Sequence, residues 1–479
     1  MLGHLIRKEI LDHLLSLRFM ILSAIGALMI WLSLFSGYAY YQARLNDYRK
    51  AKASAEDRIR EMVVAENLTE FVSIGHQEHK PPVLLSIFVR GLEPVLGRSV
   101  PIRTVGVQRL NRSPVEVAPI LGIFPPLDLD LVVRVILSLF VLLFTYDAVS
   151  GEKESGPLRL MASFPVPKDR LLAGKLLGAL IPTLAAFGLP LALGIGVMLL
   201  MPDISLAGSD LERLGMIMGA FVLYLAAFTC VGLLASCLTT RASTSFVVLL
   251  AFWVAAVVVL PRISLIVSEG IRPAPSVYEL ETEKQAVQKS NGDIWRALRR
   301  TWQQEYFKTK GQDFWKTPEG QEAYQLYYSE TRRNALWAAT RTAHDRLEET
   351  FQNRYNARLD LAVTLARCSP AFALSNATVR LAGTGLERQR RFFDAYRVYF
   401  KQFQIWLDTT DERDELKKIN PAKYGRFKWD VSDMPRLNYQ ETAPEAEVRA
   451  TLMDLGILAL WGLLFFSGAY VAMLRYDLR

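Results

Sequence analysis

The chain has 479 residues, of which 51% are hydrophobic and 22% charged, and it carries a formal net charge of +8. A mean hydropathy of +0.16 is too apolar for a soluble enzyme and too polar for a protein made only of membrane spans, so clustered spans plus a sizeable water-exposed part are expected. The basic balance comes without a recognisable nucleic-acid motif, which points to lysine and arginine gathered beside a lipid bilayer and away from nucleic acid as a partner.

In residues 1–18, Leu2, Leu5, Ile6, Ile10, Leu14 and Leu17 recur at helical spacing, while His4, Arg7, Lys8, Asp12 and His13 lie off that stripe. This reads as an amphipathic helix in the interfacial plane. Residues 19–41 reach the length of about 20 apolar residues that a span needs. They exceed the ~7–15-residue apolar core of a cleaved signal and read as a retained first span.

Residues 42–128 form a first extracytoplasmic segment. Gln42–Leu68 extends the span outward, and the prolines, glycines and β-branched residues of "HQEHKPPVLLSIFVRGLEPVLGRSVPIRTVGVQRL" then predict a compact loop-and-strand portion. His76 and His79 flank Glu78 without a cysteine or an i, i+4 histidine pair, and they read as a solvated loop with no metal.

Residues 129–260 hold spans two to five, at Leu129–Ala148, Leu176–Met201, Leu214–Leu238 and Ala242–Leu260. Arg134 interrupts the first of these near one end and is expected to snorkel to the headgroups. Cys230 and Cys237 read as small buried hydrophobes.

Residues 261–450 form a helical extracytoplasmic domain. Tyr324, Tyr327, Tyr328, Leu336, Trp337, Leu347 and Phe351 recur at three-to-four spacing, Pro370 and then Gly383 and Gly385 mark breaks, and a helix is predicted around Leu386–Leu407. The aromatics Trp295, Trp302, Trp315, Phe392, Tyr396, Tyr399 and Trp406 read as helical core. Residues 451–479 supply the sixth span, Leu455–Leu474, and a short cytoplasmic tail. The fold class is therefore mainly α: a polytopic membrane protein with six transmembrane helices, an N-terminal interfacial helix and a large, mainly helical extracytoplasmic domain between spans five and six.

Short-loop charges orient the chain. The Tyr146–Lys175 loop carries Lys153, Arg159, Lys168, Arg170 and Lys175, whereas the Pro202–Arg213 loop carries Asp203, Asp210, Glu212 and only Arg213. Both termini are expected in the cytoplasm of a bacterium, with the chain in the plasma (inner) membrane. No GxxxxGK[ST], HExxH or GxSxG pattern occurs, and spans three to five contain no charged residue that would serve an ion relay. The chain reads as non-enzymatic, with energy for any work supplied by another subunit.

The loop at 147–175 is the most informative stretch. Gly156-Pro157 suits a helix start, Leu158, Leu160, Met161 and Ala162 follow as apolar contact residues, and Pro165 and Pro167 end the short helix. Glu152, Lys153 and Glu154 lie just before it. "YDAVSGEKESGPLRLMASFPVPKDRLLAGKLLG" resembles the hallmark of ABC-2 type transporter permeases, near the NosY and gliding-motility permease branch. Tyr146, Asp147, Gly151, Glu152, Lys153, Glu154, Gly156, Leu158 and Pro165 carry the match, with Pro157 where threonine is usual. "PPVLLSIFVRGLEPVLGRSV" and "SPAFALSNATVRLAGTGLERQRRFFDA" are similar to a subgroup with large external segments.

The resemblance implies the permease subunit of an ATP-binding cassette exporter or extractor, paired with a second copy or a paralogue. Two copies of a separate cytoplasmic ATPase would drive the pair and hold the ATP and Mg, leaving this chain without a cofactor. The resemblance also implies an ATPase-coupling interface at Gly151, Glu152, Lys153, Glu154, Gly156, Leu158, Arg159 and Met161. Glu152 and Glu154 would meet basic groups there, and Leu158 and Met161 would fill a groove. The size of the external domain keeps an alternative open, a non-transporting permease that passes ATPase motion to an extracytoplasmic partner.

Overall fold

The computed structural model describes residues 2–64, 76–97, 99–102, 126–156, 167–206, 208–273, 276–424, 434–439 and 444–475. The protein is mostly helical, and six helices among these residues are long and apolar enough to cross a membrane: Leu17–Glu61, Leu129–Ser155, Lys168–Leu199, Gly208–Leu238, Ala242–Ile271 and Thr451–Arg475. They coincide with the six expected spans, and most run past the apolar core at one end or both.

The N-terminal helix, Leu2–Leu14, is separated from the first span helix, Leu17–Val64, by a two-residue break. Ser16 makes the break: its hydroxyl donates to the His13 carbonyl at 2.9 Å and accepts from the Phe19 N–H at 3.2 Å, ending one helix and capping the next. The first span helix then runs unbroken for 48 residues, about 70 Å at 1.5 Å per residue and more than twice a bilayer core.

Asp128 caps the second span by accepting from the Leu131 N–H at 2.9 Å, and its other oxygen takes the Arg90 N–H at 3.0 Å. A π-helical turn at Val132–Leu137 follows. It leaves the Arg134 carbonyl available to the Tyr224 hydroxyl at 2.9 Å and the Ser138 hydroxyl at 2.6 Å. The Arg134 Nε donates to Asp130 at 3.2 Å, so the cation is held one turn toward the start of its own helix.

Spans two and four are innermost and share a core of Leu137, Phe144, Tyr224 and Phe228, all buried. Gly232 lets them meet: a Cβ there would stand 1.8 Å from the Thr145 hydroxyl oxygen. The sixth span approaches the fourth where Gly462 faces Ala227 and Gly468 faces Leu234.

On the side away from the 147–175 loop, strands β1 (His76–His79) and β2 (Ser99–Ile102) pair antiparallel, with His76 opposite Ile102 and His79 opposite Ser99. The two histidines thus belong to a paired strand, not to the solvated loop read from sequence. The intervening turns fold back over the first span so closely that a Cβ on Gly37 would stand 1.9 Å from the Ile87 carbonyl oxygen. Buried Glu93 lies among three buried cations, 3.3 Å from Lys80, 3.8 Å from Arg44 and 3.9 Å from Arg388. This knot ties the first span to the helical domain.

That domain is built from long helices at Val277–Lys310, Ala338–Ala366 and Leu386–Ile419, with Pro318–Tyr327 continuing into a π-helical stretch, Tyr328–Trp337. The first opens with a Ser276/Glu279 capping box. Its aromatics pack as core: Trp302 stacks on Tyr327 at 4.9 Å, Trp295 is buried beside Tyr327 and Tyr328, and Phe392, Tyr396 and Tyr399 are buried together. The side chain of Trp315 lies outside the described residues.

The break read at Pro370 lies between a helix that ends at Ala366 and one that starts at Pro370 itself. Ser369 caps Pro370–Leu381, a helix inserted among the spans with Ala371, Ala373, Leu374, Ala377 and Leu381 fully buried. Its polar side chains meet two buried acids of the spans. Ser375 and Thr378 donate to Asp130 at 3.1 and 2.9 Å, and Asn376 donates to Asp454 at 2.7 Å, where Arg367 also pairs at 2.7 Å.

Gly37→Ala should overpack the first span against Ile87 and cost about 1–3 kcal/mol. Gly196→Ala, which meets no atom within 4 Å, should be neutral. Melting of the detergent-solubilised variants compares them; equal melting of Gly37→Ala and wild type would mean that the external turns do not seat on this span.

Candidate coupling site

The second span ends at Thr145, and a turn over residues 146–149 leads into a six-residue helix, Ser150–Ser155. Gly156 stops this loop helix with φ +98, the left-handed backbone that glycine adopts without steric cost, and returns its N–H to the Glu152 carbonyl. The third span helix opens at Lys168, as its Lys-Asp start predicts. Leu158, Arg159 and Met161, with Pro157 and Pro165, lie outside the described residues.

Within this short piece, almost every polar side chain reaches a different span. Arg18 of the first span donates to Asp147 at 2.9 Å, and its guanidinium lies 5.2 Å from the Tyr146 ring centre. The same ring meets Phe246 of the fifth span edge-on at 5.7 Å. Ser236 of the fourth span accepts the N–H groups of both Val149 and Ser150, each at 2.9 Å. These two donors open the loop helix and would otherwise be buried without a partner.

Lys153 reaches the end of the fourth span. Its ammonium donates to the carbonyls of Ser236, Cys237 and Thr239, the last at 3.0 Å. A helix end carries unpaired carbonyls and a partial negative charge, so a lysine is well matched there. Glu154 provides the converse: one carboxylate oxygen accepts the Ala242 N–H at 3.1 Å, at the positive start of the fifth span. Glu152 pairs with Lys175 of the third span at 2.8 Å. At the far end of the loop, Lys168 donates to the Met473 and Leu474 carbonyls, 3.1 and 3.3 Å away, at the end of the sixth span.

The loop is therefore a harness. Spans two and three run into it, spans one, four and five are bonded to it, and span six is bonded to Lys168 at its far end. Glu152 and Glu154, expected to meet basic groups of a partner, are engaged within the chain. Lys168 is half-buried and bonded, not the solvated charge that its position between two prolines and a span implies. Gly151 meets only Asp147 Cβ at 3.4 Å, an ordinary contact.

Sequence reading did not single out Arg18, Ser236, Glu9 or Lys175 for this site. A lone serine near the end of an apolar run, or a lysine at a span's start, gives no signal until its partner is in place. His13, placed off the apolar stripe, instead turns inward between Phe19 and Phe144, with ring centres 6.5 and 6.4 Å away. Burial lowers its pKa below the ordinary 6.5; Glu9 and Asp147 oppose that shift, and Arg18 and Lys175 add to it.

Residues 4–292, more than half of the chain, match the model of the ABC-2 family transporter protein family. The chain belongs to the ABC-2 transporter permease family. Residues 279–430 match a domain of unknown function, DUF3526, which corresponds to the helical domain beyond the fifth span. The chain is also similar to the probable ABC transporter permease protein NosY of Pseudomonas aeruginosa, at 34% identity over 112 residues, covering 22% of this chain and 38% of that protein. Permeases of this family are generally non-catalytic transmembrane subunits of ABC transporters and work with a partner ATPase subunit.

Ser236→Ala strands two buried N–H groups and should cost about 1–3 kcal/mol for each. Hydrogen exchange at residues 149 and 150 should rise well above wild type, and unchanged protection there would rule out Ser236 as the anchor. For His13 the sign runs toward acid. A pKa lowered on folding gives stability that is complete above pH 6.5 and is lost as pH falls through the folded value. The protection factors of residues 2–14, taken relative to intrinsic exchange at each pH, should therefore fall as pH drops below 6.5, and His13→Leu should flatten that dependence; an equally steep profile in the variant would place the titrating group elsewhere.

Proposed function

We propose that this permease is one membrane half of an ATP-driven exporter or extractor and that the 147–175 loop is the element its ATPase moves. The supporting observation is the harness itself. A push on one short loop, continuous with two spans and bonded to the other four, has no route except into the whole bundle. Two copies of the ATPase and a second permease, identical or paralogous, complete the proposed assembly. Both termini and the loop face the cytoplasm in this reading, in keeping with exposed Arg7 and Lys8 on the N-terminal helix.

The internal bonds divide the labour among the residues expected at the interface. Glu152, Lys153 and Glu154 would transmit force, since their head groups are committed to spans. Docking would fall to Leu158, Arg159 and Met161 beyond Gly156, the apolar residues filling a groove of the ATPase. A second reading, a permease that passes motion to an extracytoplasmic partner, draws on the unbroken 48-residue first helix and on the bonds between the helical domain and the span ends.

The test uses the permease with its cognate ATPase in nanodiscs. Met161→Asp should reduce ATPase co-purification several-fold. Lys153→Met should retain the ATPase yet lose the permease's effect on its ATP hydrolysis. Wild-type behaviour from both variants would reduce the loop to a connector. Nucleotide-driven movement of a substrate in vesicles supports the exporter, and nucleotide-dependent capture of an outside protein without such movement supports the second reading.

A further inference from the structure

Lys175 lies two turns into the third span helix and is only 2% exposed, far deeper than a lysine that merely marks the cytoplasmic side of a span. An ammonium has three N–H donors, and here each has an oxygen within reach. Glu152 Oε1 is 2.8 Å away, Glu9 Oε1 is 3.2 Å away, and the Ala148 carbonyl is 2.7 Å away. Glu9 belongs to the N-terminal helix, Ala148 and Glu152 to the loop, and the lysine to the third span. Three elements meet at one charge.

The backbone is shaped for this meeting. A Cβ on Gly174 would stand 2.8 Å from Leu5 Cδ2, and one on Gly178 would stand 2.4 Å from Glu9 Cβ. The two glycines form a groove along the third span in which the N-terminal helix lies. Apolar contact at Leu5 brings the helix there. The ion pairs set its register, because only one placement puts Glu9 on the ammonium. Without the lysine, Glu9 and Glu152 would be two half-buried carboxylates facing the same site, and their repulsion would drive the helix off.

We propose that Lys175 is a positioning residue that makes the N-terminal helix part of the moving unit. Displacement of the loop pulls the helix along through Glu152, Lys175 and Glu9, so the helix transmits force to the bundle instead of resting passively on the membrane surface. This rests on the reading of the loop as the element the ATPase moves, and the experiment separates the two.

A reversible bond can substitute for the lysine. A Cβ on Gly174 falls 3.4 Å from Leu5 Cβ, close to the ~3.5–4.5 Å of a disulfide, so Leu5→Cys with Gly174→Cys should bridge on oxidation. Exposed Cys368 is replaced by serine in this background. With Lys175 present, the bridge should form readily and leave coupling unchanged. Lys175→Met should lower the permease's effect on ATP hydrolysis several-fold while the ATPase still co-purifies. Oxidation of Lys175→Met with the cysteine pair should restore coupling, and reductant should remove it again.

Normal coupling in Lys175→Met overturns the proposal. So does a bridge that forms in that variant without restoring coupling, since the lysine would then act other than through the helix. The bridge should form more slowly in Lys175→Met than with the lysine present, and adding Glu9→Gln and Glu152→Gln, which removes the unbalanced charge, should speed it again; no such difference also counts against the proposal. A wild-type permease that retains no ATPase would instead refute the coupling reading, while the bridge yields would still report on the clamp.

Discussion

The end of an α-helix leaves carbonyls without donors of their own, and a helix that ends inside a bundle cannot rely on water to supply them. Lys153 meets that need for the fourth span by giving its three N–H groups to the carbonyls of Ser236, Cys237 and Thr239. The rest of the loop side depends on this bond set. It holds the Ser150–Ser155 helix against the span end in one register, and that register brings Glu154 to the start of the fifth span and Glu152 to Lys175. A charge-assisted bond to a backbone group is directional, so it resists sliding in a way that apolar contact does not.

The opposite side is fastened by different chemistry to the same effect. Asp130 and Asp454 are carboxylates buried at the ends of spans two and six, and each is expensive to bury unless hydrogen-bonded. The inserted helix Pro370–Leu381 supplies those bonds from Ser375, Asn376 and Thr378, and the knot around Glu93 adds a second attachment. Between the two fastened ends, the spans meet mostly through apolar side chains. A cavity of about 280 Å³, lined by Ile30, Val133, Leu137, Phe187, Phe221 and Leu225, opens among spans one to four there. Apolar packing is non-directional, so the middle can readjust while both ends keep their bonds. In the proposed coupling role, such a bundle would relay a displacement of the loop to the domain beyond the spans.

The six spans, the helical domain and the loop motif were legible in the sequence. A run of about 20 apolar residues has one stable fate in a bilayer, because only a helix satisfies its backbone there. The aromatic spacing from Trp295 to Tyr399 likewise carried the helical core, and the Tyr146–Pro165 motif carried the family. The site was half legible. Sequence located the loop and its charged residues, but it did not show that Glu152 and Glu154 also bond to spans, that His13 packs between Phe19 and Phe144, or that Lys175 is buried.

Those omissions share a physical cause. Hydropathy and periodicity describe a side chain against the average of its neighbours along the chain, whereas these groups are satisfied by atoms far away in sequence. Val149 and Ser236 lie 87 positions apart, Lys175 and Glu9 lie 166 apart, and Asp130 and Thr378 lie 248 apart. A glutamate whose partner is the N–H at the start of another span looks, in one dimension, like any solvated glutamate. The amino-acid sequence by itself determined which segments enter the membrane, since that is a property of the segment alone. Only the tertiary structure decided which charges face inward, because that depends on which helix ends arrive beside them.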